Sequence, residues 1–114
     1  MIETILRQNL PQNFPTIDRF ENGIATSIKS MNLADATYQI PANITNSGRG
    51  YIDTVARFQG GQTGTTRITG LMIRQRALDL AVPLVGTAAQ RRALRGLVDY
   101  GRERGVIVTI VEIE

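Results

Sequence analysis

Apolar and polar positions alternate on both sides of Asn22-Gly23 within residues 14–31. Alternation of this kind predicts two half-buried strands, and an Asn-Gly pair between them predicts a two-residue hairpin turn. So tight a turn fixes the register: Glu21 opposite Ile24, Phe20 opposite Ala25, Arg19 opposite Thr26, Asp18 opposite Ser27 and Thr16 opposite Lys29. Opposed residues share a face, so Asp18, Ser27 and Lys29 are expected on one side. Cβ atoms of Asp18 and Ser27 would then lie about 5 Å apart, and those of the diagonal Asp18–Lys29 pair about 7–8 Å.

The rest of the chain divides at its prolines and glycines. Ile2, Ile5 and Leu6 mark one helical face over residues 2–9, which Pro11 and Pro15 end. Residues 32–46 read as a polar connection, with 38–41 extended or loop-like. Residues 47–58 show helical spacing, with Tyr51, Ile52, Val55, Ala56 and Phe58 on the apolar face, Ser47 as N-cap and Gly60-Gly61 as the stop. The Thr- and Gly-rich stretch 62–70 predicts a short strand or flexible hairpin through 65–69. Its Gly-Gly-Gln-Thr-Gly superficially resembles a phosphate loop but lacks the lysine and the following helix that such a loop needs.

Residues 77–82 read as a strand closed by Pro83, and Thr87 as the cap of a helix over 88–104. Ala93, Leu94, Leu97, Val98 and Gly101 form its inward stripe, while Arg91, Arg92, Arg95 and Arg102 point outward. Gly105 ends it, and residues 106–113 are apolar on both sides, the pattern of a strand covered within a sheet. Strand–helix–strand over about 35 residues implies a right-handed crossover and a parallel pair. The predicted class is mixed α/β (α+β): a central mixed sheet with an N-terminal hairpin and a C-terminal βαβ unit, flanked by helices, in one domain over residues 1–114.

Composition narrows the chemistry more than the fold. With 114 residues, 42% hydrophobic and 20% charged, the chain has the make-up of one ordinary globular domain. No apolar run approaches the roughly 20 residues that span a bilayer, and the first 15 residues lack the pattern of a signal peptide. There is no cysteine, which excludes disulfides, thiolate nucleophiles and thiolate metal sites. There is no histidine, which excludes Ser-His and Cys-His hydrolases, zincins and two-histidine ribonucleases. Acid–base work is left to carboxylates, lysine, tyrosine or metal-bound water, and protein metal ligands to oxygen, which favours magnesium or manganese over zinc.

The net charge of +3 favours an anionic partner. Lys29 is the single lysine among 13 basic residues, so a compact ammonium is kept where arginine serves everywhere else. A metal-dependent nuclease needs a carboxylate to hold its ion, a group that orients the attacking water, and positive charge for the transition state. Asp18 suits the first role, Lys29 the second and Ser27 a further polar contact, while Glu3 would approach from the first helix as a second acidic ligand. Arg57, Arg67, Arg74, Arg76, Arg91, Arg92 and Arg95 are candidate phosphate contacts. The same residues also fit a polar hairpin face with a surface ion pair and solvated arginines.

Residues 14–20 (Phe-Pro-Thr-Ile-Asp-Arg-Phe) and 22–30 (Asn-Gly-Ile-Ala-Thr-Ser-Ile-Lys-Ser) resemble the C-terminal toxin domains of bacterial contact-dependent growth inhibition proteins of the CdiA type. Tyr51-Ile52-Asp53 with Phe58, residues 76–83 and Gly105-Val106 extend the resemblance over nearly the whole chain. It implies a PD-(D/E)xK restriction-endonuclease-like fold, in a subgroup with serine at the usual second acidic position. The implied site is Glu3, Asp18, Ser27 and Lys29, with Asp18 and Glu3 as ligands of a divalent ion, magnesium or manganese before zinc. A serine in place of the second carboxylate changes how the ion is held.

The resemblance further implies that these residues end a large exported cell-surface protein and act in the cytoplasm of a neighbouring bacterium. It also implies a cognate, acidic immunity protein that blocks the active site or an adjacent surface; residues 62–70 are the candidate for part of the surface it holds. The substrate is DNA or transfer RNA, the Ser-x-Lys variant favouring DNA. The competing reading is a non-catalytic basic nucleic-acid-binding module, against which stand only three tyrosines and three phenylalanines.

Overall fold

A computed structural model describes residues 9–11, 13–83 and 86–113. Strand β1 (Arg19–Glu21) and strand β2 (Ile24–Ser30) meet at the predicted turn, where Asn22 has φ 53° and Gly23 φ 79°. Two consecutive positive φ angles make the tight hairpin turn that matches strand twist, and Asn-Gly accepts them at least strain. The pairs Glu21–Ile24, Phe20–Ala25 and Arg19–Thr26 follow as expected.

Helix α1 (Pro41–Ala56) comes after a 3-10 turn at Ala36–Gln39. It starts six residues before the predicted Ser47. Pro41, pre-set to a helical φ, occupies the first turn, and Ile40 is the cap without a side-chain bond. The buried face runs Ile44, Gly48, Ile52, Val55. Gly48 faces the fully buried Leu97, where a Cβ would come within 2.3 Å of Leu97 Cδ1. The turns before it read as loop because Pro41, Asn43, Thr45 and Asn46 surround a single buried apolar side chain, Ile44.

Strands β3 (Gly60–Thr63) and β4 (Thr66–Thr69) pair as a separate antiparallel hairpin, so Gly60-Gly61 opens a strand as well as ending the helical run. A 3-10 turn at Gly70–Met72 leads into β5 (Gln75–Pro83), then helix α2 (Ala88–Glu103) and β6 (Val106–Ile113). Thr87 caps α2 as expected: its side chain accepts the Gln90 N–H, and Gln90 Oε1 accepts the Thr87 N–H. The buried Gln90 amide also donates to the carbonyls of Leu33 and Tyr38, tying the helix start to the chain after β2.

The four-stranded sheet has the order β1-β2-β5-β6, antiparallel between β1 and β2 and parallel for the other two pairs. Leu78, Leu80, Val82, Val106 and Val108 pack against Ile44, Ile52, Val55, Leu94 and Leu97 of the two helices. A second cluster of Phe14, Ile17, Ala25, Phe58 and Ile68 joins the β3–β4 hairpin to the start of β2. Strand β6 departs from the sequence expectation. Val106 and Val108 are buried, but the strand lies at the sheet edge and Ile107 is 53% exposed. A run of valine and isoleucine records β propensity at every position, not the number of neighbours each face receives.

Candidate active site

Just before β1 the chain departs from the regular ladder. Thr16 has φ 70°, and the Ile17 N–H closes a three-residue turn on the Pro15 carbonyl at 2.8 Å. A β-branched residue at positive φ is a strained backbone position. Beyond it, the Asp18 N–H donates to Thr26 O at 2.9 Å, although Thr26 is the ladder partner of Arg19. Two residues facing one is a bulge, a device that re-aims a side chain. The pairs Asp18–Ser27 and Thr16–Lys29 expected from uninterrupted register therefore do not form. The bulge and the turn absorb them.

The bulge swings the Asp18 carboxylate onto the edge of β2. Its Oδ2 accepts the Ile28 N–H at 2.7 Å, a charge-assisted bond to a backbone donor past the end of β1. Ile28 lies between Ser27 and Lys29, so the three predicted residues meet around one peptide unit. Ser27 is buried and Lys29 exposed. Asp18 is pinned from its other side as well, its carbonyl accepting the N–H groups of Asn9 and Leu10 at 3.1 and 3.0 Å. The Asn9 side chain completes the brace, donating to Phe20 O at 3.0 Å and accepting Phe20 N–H at 2.8 Å.

The surroundings are polar and aromatic. Lys29 Nζ lies 5.6 Å from the centroid of the Tyr51 ring, within cation–π range. Burial, and then the neighbouring hydrogen-bonded Tyr38, hold the Tyr51 hydroxyl above the ordinary phenol range. On the opposite face, Arg19 Nη2 reaches Asp79 Oδ2 at 2.8 Å, clamping β1 to β5 across β2.

The candidate arginines are dispersed. Arg76 donates from Nε and Nη2 to the Phe58 carbonyl, at 2.9 and 2.7 Å, and so joins β5 to the chain after α1. Arg74 is exposed and lays its methylenes across Gly23 of the hairpin turn. Arg67 is exposed on β4, and Arg57 caps α1. Arg91, Arg92 and Arg95 are exposed on α2, and Arg91 Nη1 lies 3.7 Å from Glu112. Glu3 and residues 2–8 of its predicted helix lie outside the described residues, and Asn9, the predicted last residue, is in no helix.

Among the described residues no group of three or more carboxylates, histidines or cysteines is placed to hold a metal. Asp18 supplies one anionic oxygen donor, and Ser27 and backbone carbonyls can supply only neutral ones. This set suits a hard divalent ion that keeps most of its waters and shares a substrate phosphate. Sequence reading missed three contributors: Asn9, Tyr51 as the partner of Lys29, and the Arg19–Asp79 clamp. Tyr51 was assigned only to the helix face, and no local pattern pairs Arg19 with a residue 60 positions away.

The sequence model of the CDI toxin restriction endonuclease-like domain matches residues 1–111. Deoxyribonuclease CdiA-o11 of Escherichia coli O157:H7 (strain EC869) is 31% identical over 108 residues, covering 92% of this chain and 29% of that protein. Deoxyribonuclease CdiA of Yersinia pseudotuberculosis serotype O:3 (strain YPIII) is also 31% identical over 108 residues, covering 92% of this chain and 10% of that protein. A chain in the solved CdiA-CT/CdiI toxin and immunity complex from Yersinia pseudotuberculosis superposes with a TM-score of 0.85 at 27% identity, covering 100% of this chain and 99% of that one. The mixed sheet, the flanking helices and the matches from end to end agree with the expected restriction-endonuclease-like architecture, and the chain belongs to the CDI toxin restriction endonuclease-like domain family.

Proposed function

We propose that this chain is a single toxin domain that cleaves DNA with a divalent metal ion, after delivery into the cytoplasm of a neighbouring bacterium. The observation that carries the reading is the Asp18 carboxylate fixed on the Ile28 N–H between Ser27 and Lys29. Two relatives named as deoxyribonucleases, each 31% identical over 92% of this chain, favour DNA over transfer RNA. The toxin and immunity complex among its structural relatives supports a cognate immunity protein as the natural partner. Residues 62–70, which form most of the β3–β4 hairpin, remain our candidate for part of its docking surface.

In this reading Asp18, with Glu3 as a second acidic ligand, holds the metal, magnesium or manganese before zinc. The metal supplies Lewis acidity and a water of lowered pKa. Asp18 enters the site already oriented, because one of its oxygens is committed to a backbone donor. Lys29 presents a compact ammonium to the attacking water and the scissile phosphate, and Ser27 holds a polar contact beside it. Arg57, Arg67, Arg74 and Arg76 are the proposed phosphate contacts, positioning the duplex without reading its sequence.

The test is cleavage of plasmid DNA and of total transfer RNA by purified protein with magnesium, manganese, zinc or EDTA, beside Asp18→Ala and Lys29→Ala. Metal-dependent cutting of DNA alone, lost in both variants, is the expected result. Salt-sensitive binding without cutting under any metal would favour the non-catalytic binding module instead.

A further inference from the structure

Lys29 is the only lysine in the chain, and it enters none of the ion pairs found among the described residues. Its ammonium lies over the Tyr51 ring instead, 5.6 Å from the centroid. The two modes of holding a cation differ in what they leave behind. A carboxylate neutralises the ammonium and occupies its N–H donors. A ring face attracts the charge through its quadrupole and leaves those donors for water or phosphate. Only the second serves a group whose task is to offer positive charge to an anion.

Tyr51 is built to be a fixed support. It sits on α1 beside the fully buried Ile52, and its own side chain packs against the main core cluster. Tyr38 packs against the same cluster beside it, so the ring is backed by the core. The ring therefore restricts where a long, flexible ammonium can go, two residues along β2 from Ser27 and one from the peptide that anchors Asp18. An arginine in place of Lys29 would stack its planar guanidinium on the same ring and direct its N–H groups outward in that plane.

We propose that Tyr51 is a positioning residue whose ring face holds the Lys29 ammonium on the β2 segment whose Ile28 peptide anchors Asp18, its hydroxyl taking no direct part in the reaction. This rests on the nuclease reading above. Because Lys29 is the only lysine, reductive methylation with a ¹³C label marks it as the single side-chain amine, told from the α-amine by its loss in Lys29→Ala. The Lys29 methyl signal is expected upfield from ring current, to stay so in Tyr51→Phe, and to move to the free-lysine position in Tyr51→Leu. In DNA cleavage, Tyr51→Phe should stay within about threefold of the parent, while Tyr51→Leu lowers kcat roughly tenfold with KM changed less than about twofold. Lys29→Arg should fail to restore the parental rate.

Parental kcat and an unmoved methyl signal in Tyr51→Leu would overturn the role. So would a loss in Tyr51→Phe equal to that in Tyr51→Leu, which would transfer it to the hydroxyl. A Lys29→Ala protein that cleaves at the parental rate overturns the nuclease role of Lys29 itself. An inactive Lys29→Ala beside a fully active Tyr51→Leu overturns only the positioning role. Thermal melts accompany each variant, and Tyr51→Met takes the place of Tyr51→Leu if leucine there prevents folding.

Discussion

Asp18 has two roles that substitution can separate. Its carboxylate satisfies the Ile28 N–H, and in the proposed reaction it also carries the negative charge that holds a metal. Asparagine can accept the same hydrogen bond without the charge, and alanine can do neither. Asp18→Asn is therefore expected to melt close to the parent, while Asp18→Ala loses about 1–3 kcal/mol from an unsatisfied buried donor. Both should cut DNA at least roughly 10²-fold more slowly, read by timed plasmid nicking. The Arg19–Asp79 pair makes a different case, being mostly buried and remote from the reacting groups in its bonding. Asp79→Ala removes the carboxylate that clamps β1 to β5 and should cost about 3 kcal/mol in urea unfolding, whereas Arg19→Met with Asp79→Leu should recover much of that loss.

Helix α2 shows how one residue type can have opposite effects within a single element. A Cβ at Gly101 would lie 2.5 Å from Val108 Cγ2 and 2.8 Å from the Val106 carbonyl, and the backbone contact cannot rotate away. At Gly96, in the same helix, a Cβ would meet nothing within 4 Å. Gly101→Ala should destabilise by about 1–3 kcal/mol despite the better helix propensity of alanine. Gly96→Ala should stabilise by about 0.5–1 kcal/mol. Chemical denaturation of the two variants reads both signs, and equal effects would mean that α2 does not approach β6 as closely as described.

Charge is distributed over the whole molecule, and its placement decides which arginines can share a substrate with Asp18 and Lys29. Arg74 lies on the hairpin turn and Arg67 on the β4 strand, while Arg92 and Arg95 are exposed on α2. In DNA binding by the Asp18→Asn protein, the affinity should fall steeply with salt. Arg67→Ala and Arg74→Ala should each reduce the slope of log K against log salt by about 1. Arg92→Ala and Arg95→Ala should leave it unchanged. The reverse pattern would place the duplex on the helix layer, away from the hairpin.

Local rules were enough wherever both partners lie within a few residues of each other. Asn22-Gly23 set the hairpin and three of its pairs, Thr87 and Gln90 set the start of α2, and the absence of histidine and cysteine confined the site to oxygen and nitrogen chemistry. The candidate group of Asp18, Ser27 and Lys29 was read from the same register; the Asp18–Ser27 pair does not form, and the Asp18 carboxylate instead reaches the Ile28 N–H between the other two. How they meet was settled by contacts from afar. Asn9 and Leu10 bond to Asp18 and Phe20, the turn at Thr16 redirects the chain, and the resulting bulge replaces a plain ladder pair. The early start of α1 depended on Ile44 reaching the core, and the edge position of β6 on which strands came to neighbour it. Propensity and periodicity describe each segment against an average environment. Close approach, bulges and edges depend on which distant segment arrives, and that information exists only once the chain has folded.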